Sequence, residues 1–194
     1  MTAPVEQHRP GIAARHAARL GGQIATLDTR RLQLRGPRIY DFDAFAGIMC
    51  SDRAIHMDGP MTRDAAWSEF TQYVALWLLH GHGLWTIDAQ TQPSAGFALL
   101  GMEYADPEPE LGLFLTAEAE GQGYAQEAAE AVLTYAFETL KWDSCASYVA
   151  QGNSRCIALM DRLGAFRDET AEAELGQDDL CVFRHAPRQE EAVA

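Results

Sequence analysis

The stretch that most constrains this chain is Leu111-Gly112-Leu113-Phe114-Leu115, followed closely by Glu120-Gly121-Gln122-Gly123-Tyr124-Ala125 and a helical pattern from Gln126 to Leu140. An apolar run, a glycine-rich corner and a helix start make a βα unit with a particular chemistry at its corner. The first amides of a helix have no partner inside it, and the helix dipole adds partial positive charge there. Glycines let an anion approach that backbone closely. The corner is read as a cradle for the pyrophosphate of a nucleotide-like cofactor, with a plain tight βα turn as the alternative. It is not a Walker A loop, because no Gly-Lys-Ser/Thr follows. It also lacks the third glycine of a dinucleotide fingerprint, where Gln126 stands.

A chain of 194 residues fits one domain carrying a short arm. The expected division is an N-terminal arm over 1–24, a single domain over 25–187 and a polar tail over 188–194. No apolar run reaches the length of a transmembrane helix, and residues 1–19 lack the apolar stretch of a secretory signal. Cys50, Cys145, Cys156 and Cys181 are widely spaced and form no metal-ligand pattern. No metal is expected, and reduced thiols fit a cytoplasmic protein. The net charge of −13 is uneven, since residues 1–38 hold seven arginines against two acids. An acidic body disfavours nucleic acid and favours cationic substrates or partners. No membrane association is expected, and the arm or the last strands allow either a monomer or a homodimer.

Along the chain, Ile12–Leu20 has a helical pattern. Thr29–Arg35 alternates polar and apolar residues and is read as one half-buried strand ended by Gly36-Pro37. Asp41 or a neighbour caps a short helix carrying Phe42, Phe45 and Ile48-Met49. Thr62 caps a longer one that ends near Leu79 at His80-Gly81-His82-Gly83, whose histidines are read as loop-surface residues. Leu84–Ile87 and Ala95–Met102 form a hairpin around a long polar turn, Asp88–Ser94. Glu110–Leu115 is the strand before the corner. A strand over Ser144–Ala150 precedes a helix capped by Asn153 and stopped by Gly164. Asp179–His185 is the last strand, and another short one is expected near Phe166. Hairpins first and βαβ units later predict a mixed sheet.

Four stretches together resemble the GNAT acyltransferases, in particular their RimJ/RimL-like branch: Leu27–Arg35, Glu110–Leu115, Gly121–Ala128 and Asn153–Phe166. They fall in family order across residues 27–185. The resemblance implies an α/β (α+β) fold, with a mostly antiparallel sheet, flanking helices and a splayed acyl-CoA cleft. It implies acetyl-CoA as acyl donor, with main-chain amides of Gln122, Gly123, Tyr124 and Ala125 on the pyrophosphate. Leu113, Phe114 and Leu115 would pair with the pantetheine arm, and a backbone N–H near Leu115 would polarise the acetyl carbonyl. Asn153 would hydrogen-bond the cofactor.

Two positions depart from the family pattern. Glu120 stands where Gln or Arg is common, and its carboxylate is expected to point to solvent. The tyrosine that many members place seven residues after the asparagine is here Met160. The RimJ/RimL-like serine three residues after the asparagine is here Cys156, a candidate acid for the leaving thiolate. Ser154, Tyr124 and water are further candidates, and a packing role is the alternative for Cys156. An alkylammonium with a pKa of roughly 10 must lose a proton before it attacks a thioester, and the resemblance implies Glu110 as that general base, because it starts the cofactor strand where the family places one; a strand-end surface residue is the alternative.

The predicted activity is acetyl transfer to the primary amine of a protein N-terminus or a small molecule, by direct attack in a ternary complex. Ser51–Pro60 and the helix after Thr62 would form the acceptor wall, with Met57 and Trp67 lining it. A non-catalytic acyl-CoA-binding or partner-binding protein on the same fold is the competing reading.

Overall fold

The computed structural model of the chain describes residues 2–57, 59–104, 106–177 and 179–187. The elements are α1 (Ile12–Gly21), β1 (Leu27–Asp28), β2 (Leu32–Arg35), α2 (Phe42–Met49), α3 (Arg63–Leu79), β3 (Leu84–Ala89), β4 (Gln92–Gly101) and β5 (Glu110–Leu115). They continue with α4 (Tyr124–Thr134), β6 (Cys145–Ala150), α5 (Ser154–Leu163), β7 (Phe166–Arg167), α6 (Glu169–Leu175) and β8 (Leu180–His185). The strands form one sheet in the order β1-β2-β3-β4-β5-β6-β8-β7. Every neighbouring pair is antiparallel except β5 and β6, which the crossover through α4 makes parallel. This is the mixed, mostly antiparallel sheet with flanking helices that the sequence led us to expect. Among the described residues no helix is long and apolar enough to cross a membrane.

Strand alternation sends side chains to two separate layers. Trp85, Ile87, Ala98, Leu100 and Leu111 face α4, where Ala128, Ala129, Val132 and Leu133 complete one core. Leu84, Phe97, Leu99 and Phe114 face α2 and α3, and pack with Phe42, Phe45, Phe70 and Tyr73 in an aromatic cluster. Beneath α5 a smaller core joins Val149, Leu159, Met160, Cys181 and Phe183, with Leu113 bordering both this core and the one under α4.

A buried polar hub ties the early strands to α2. Asp41 is 2% exposed. Its carboxylate accepts from Arg35 at 2.8 and 3.0 Å, from the Arg38 N–H at 2.7 Å, and from the Thr86 and Ser94 hydroxyls at 2.9 and 2.8 Å. Burial alone would raise its pKa, but these donors hold it below the ordinary carboxylate value. Arg35 also donates to Asp88 on β3 at 2.6 Å.

Several expected elements change shape. Of the expected strand Thr29–Arg35 only Leu32–Arg35 is extended: Thr29–Arg31 form the turn of a hairpin with Leu27–Asp28, in which the Thr29 hydroxyl accepts from the Leu32 N–H at 2.9 Å. The turn between β3 and β4 shrinks to Gln90-Thr91, so the strands extend into the expected loop. The helix after the glycine corner becomes a π-helical turn over Tyr135–Thr139. α6 has no apolar stripe in sequence; its N-terminus is capped by Asp168, which accepts from the Ala171 N–H at 3.1 Å. His82 is not a loop-surface residue: it is 6% exposed, and its Nδ1 lies 2.7 Å from the Leu100 carbonyl. In the N-terminal arm α1 buries no residue, while Glu6 pairs with Arg63 at 2.8 Å. The expected tail, 188–194, lies outside the described residues.

Removing one partner from a buried charged network leaves the other uncompensated. Asp41→Ala is therefore expected to lower unfolding free energy by about 3 kcal/mol in urea denaturation. A loss below about 0.5 kcal/mol, in the range of ordinary surface substitutions, would show that the hub is dispensable.

Candidate active site

The ladder between β5 and β6 holds for a single register pair, Glu110 with Ala146, whereas β5 pairs with β4 from Glu110 to Leu115 and β6 with β8 from Cys145 to Ala150. The two strands therefore part and open a V. The groups where the ladder stops are occupied by side chains. The Tyr148 backbone N–H donates to the Glu110 carboxylate, and the Ser147 hydroxyl donates to the Leu111 carbonyl at 2.9 Å. Ser147 Oγ also lies 3.1 Å from Nε2 of buried His185.

Backbone alternation decides which β5 groups face the V. Thr116 N–H donates to the Ala95 carbonyl at 3.0 Å, which makes Leu115–Gly96 a non-hydrogen-bonded pair of the antiparallel ladder. The N–H and C=O of Leu115, and by the same alternation those of Leu113 and Leu111, thus point away from β4 toward the cleft. Leu111 gives its carbonyl to Ser147, and Leu115 gives its carbonyl to Arg53 at 3.2–3.3 Å. Leu113 lies between them, with its N–H and C=O directed into the opening. Phe114, between Leu113 and Leu115, has its main chain paired with Phe97 on β4 and its ring stacked with Tyr73 at 6.4 Å. It supports the α3 side instead of presenting backbone to the cleft.

The glycine corner lies at the mouth of the V. Gly121 and Gly123 both take left-handed conformations, with φ of 71° and 77°, and Gly123 is the N-cap of α4. Arg31, from the β1–β2 turn, braces the corner. It donates to the Gln122 carbonyl at 2.8 Å, pairs with Glu127 at 2.6 Å and lies over the Tyr124 ring at 5.0 Å. Thr29 Oγ1 adds a 2.6 Å bond to Glu127. The main-chain amides of Gln122–Ala125 are held where an anion would meet the helix start.

Glu110 sits at the apex of the V, on the face shared with Phe114 and Tyr148. Burial, with the charges of Asp106 and Glu103 added, pushes its pKa up to about 7, against the Tyr148 N–H bond that favours the carboxylate. Tyr148 Oη is the buried side-chain oxygen that lacks a hydrogen-bond partner among the described residues. Burial and the carboxylates of Glu108, Asp106 and Glu110 raise this phenol to about 12. Tyr73 donates to Glu103 at 2.7 Å. The apex is thus surrounded by carboxylates, of which Glu108 is paired with Arg184.

On the opposite arm of the V, Asn153 Oδ1 accepts from the Cys156 N–H at 3.1 Å and caps α5. Its carbonyl oxygen serves the cap and its NH2 remains a donor. Cys156 packs against the core beneath α5, and burial raises its thiol to about 11. Met160, 1% exposed, is a core residue. Trp67 meets Phe42 edge-on at 4.9 Å, and Met57 borders the same aromatic cluster. Glu120 corrects the solvent-pointing expectation: it is ion-paired with both Arg53 and Arg155. Among the described residues, no group of three or more His, Cys, Asp or Glu is arranged to hold a metal ion.

Residues 31–165 match the acetyltransferase (GNAT) domain family. The chain belongs to the GNAT acetyltransferase family. It is 35% identical to an acetyltransferase from Agrobacterium tumefaciens str. C58, with a TM-score of 0.77 over 84% of this chain and 94% of that one. Its fold is also that of an acetyltransferase (GNAT family) from Bacillus anthracis, at 17% identity and TM-score 0.64, covering 82% of this chain and 96% of that one. The same holds for RimL, a ribosomal L7/L12 alpha-N-protein acetyltransferase solved with coenzyme A, at 14% identity and TM-score 0.67, covering 84% of this chain and 98% of that one.

Within this GNAT chain, sequence reasoning missed Arg31, Arg53, Arg155 and Tyr148. Their partners are distant in sequence, and no local spacing marks them. Of the carboxylates around the apex, Glu110 was singled out in the sequence, but only the fold gathers Glu103, Asp106 and Glu108 near it and only β6 brings it a tyrosine.

A carboxyl group with a raised pKa in the folded state stabilises the fold below its unfolded pKa and loses that contribution as pH rises through the folded value. For Glu110 this window runs from 4.5 to about 7. Glu110→Gln should therefore gain stability over the wild type across this window by about 3 kcal/mol, and hold the gain at higher pH. Chemical denaturation at a series of pH values measures the difference; a constant difference would show that Glu110 titrates normally.

Proposed function

We propose that this GNAT protein transfers acetyl from acetyl-CoA to a primary amine by direct attack in a ternary complex, as a RimJ/RimL-like enzyme of the cytoplasm. The observation that carries this reading is the parted β5–β6 pair, with Glu110 at its apex and the glycine corner at its mouth. The residues fit such a donor. Left-handed Gly121 and Gly123 expose turn amides without a Cβ in the way, and Leu113 and Leu115 offer backbone to the V.

Acetyl-CoA supplies an activated thioester. The amides of Gln122, Gly123, Tyr124 and Ala125 bind its pyrophosphate, and the α4 dipole favours the negative charge. Leu113 pairs with the pantetheine as a strand would, while the Leu115 N–H is placed to polarise the acetyl carbonyl. The Asn153 side-chain amide donates to the pantetheine. Glu110, half-ionised near pH 7, takes the proton from the ammonium of the acceptor, directly or through water. Glu103, Asp106 and Glu108 draw a cationic amine toward it. Met57 and Trp67 belong to the wall on the acceptor side.

For the leaving thiolate, Cys156 and Tyr148 are the proton-bearing groups on the far arm. Tyr148 has the freer hydroxyl, and Cys156 the pKa closer to that of a thiol. The acceptor is a protein N-terminus or a small amine.

Calorimetric titration with acetyl-CoA tests the cofactor site. At Gly123 any side chain is strained, and a Cβ would lie 3.3 Å from Arg31 Nη2. Gly123→Glu also adds a negative charge, so affinity should drop by at least about tenfold. Equal affinity in both proteins, or none in the wild type, would remove the assignment. Thiol release with a panel of amines tests the chemistry. Glu110→Gln is expected to slow it by roughly 10²–10⁴ at pH 7. An unchanged rate eliminates Glu110 as base, and binding without turnover of any amine favours the non-catalytic reading.

A further inference from the structure

Glu120 immediately precedes the glycine corner and carries the one charge least suited to a phosphate site. Its carboxylate is engaged by two arginines from separate segments. Arg53 comes from the turn after α2, on the acceptor side of the sheet, and pairs with Glu120 while also donating to the Leu115 carbonyl at 3.2–3.3 Å. Arg155 comes from the first turn of α5, across the V, and pairs with Glu120 at 2.5 Å. Three segments of the acceptor side, the glycine corner and the far arm thus converge on one carboxylate.

Two guanidinium groups face a single negative charge beside the left-handed glycine corner. Burial of Glu120 disfavours its charged form, but the Arg155 hydrogen bond and the charges of Arg53 and Arg155 outweigh this and lower its pKa. A diphosphate brings more charge and more acceptor oxygens than a carboxylate, and arginine matches phosphate oxygens two at a time. The Arg155 side chain is 72% exposed, so its pair with Glu120 is solvent-screened and easily exchanged. The surrounding protein is acidic, with net charge −13, so two arginines at this mouth are set against the general charge.

We propose that Arg53 and Arg155 are side-chain ligands for the pyrophosphate of acyl-CoA, and that Glu120 is a resident counter-ion which the incoming phosphates displace. This rests on the cofactor reading given above. Glu120 then occupies the arginines in the free protein and competes with the cofactor. Arg53 contacts the last residue of β5 as well, so displacement of Glu120 also changes what the acceptor-side turn is tied to.

The measurement is calorimetric affinity for coenzyme A, for dephospho-coenzyme A and for pantetheine, in wild type, Glu120→Gln and Arg155→Ala. Glu120→Gln should tighten coenzyme A by roughly threefold to tenfold, and Arg155→Ala should weaken it by a similar factor. Dephospho-coenzyme A should show both changes and pantetheine neither. Tighter binding on removal of a carboxylate is not what a merely structural strap gives, since loss of a strap lowers stability without raising affinity.

An unchanged or weaker affinity in Glu120→Gln overturns the proposal, as does a gain that disappears with dephospho-coenzyme A. If Glu120→Gln fails to fold, the exposed Arg155→Ala decides alone: unchanged coenzyme A affinity rejects the clamp. Absence of coenzyme A binding by the wild type would instead reject the cofactor reading.

Discussion

The site depends on one interrupted ladder. β5 and β6 are parallel neighbours and share a register pair at Glu110 and Ala146, after which they separate. A pair of buried strands that stops bonding leaves donors and acceptors without partners, and such groups are costly to leave unmade. This chain meets the cost at the apex with side chains: Glu110 takes the Tyr148 N–H, and Ser147 takes the Leu111 carbonyl. Further along, Leu113 offers its main chain to the opening. In the proposed reading the pantetheine arm, whose amide groups can pair as a strand would, fills that opening.

The same interruption shapes the electrostatics. Glu110 is both the plug of the ladder and the apex of an acidic vestibule. Its burial and its carboxylate neighbours bring it near neutrality in pKa, where a base serves best. The other end of the cleft has the opposite character. Arg31 fixes the glycine corner from behind, while Arg53 and Arg155 meet at Glu120 in front. A protein of net charge −13 thus keeps positive groups at the glycine corner and negative groups at the apex of the V.

Much of the fold was legible because it is local. The span of β5 follows directly from its apolar run. Thr62, Asn153 and Gly164 mark helix ends through their own side chains or left-handed backbone. Reading failed where a distant partner decided the outcome. Of the expected first strand, Thr29–Arg31 form the turn of a hairpin, with its tip held by Glu127. His82 looks like a flexible-loop residue until the Leu100 carbonyl and the surrounding burial are seen. Phe114 lies on β5 between Leu113 and Leu115, and only the alternation of the ladder shows that its backbone turns to β4.

The sequence by itself determined the glycine corner, the strand before it with Glu110 at its start, and the asparagine cap after it. Each is a property of a short run of residues, set by backbone freedom, periodicity or capping chemistry. Only the tertiary structure decided how these parts face one another. It placed Tyr148 beside Glu110, and it directed Leu113 and Leu115, not Phe114, into the opening. It also gave Glu120 two arginines instead of solvent. Those outcomes depend on register between strands and on charges far apart along the chain, which meet only when the sheet has formed.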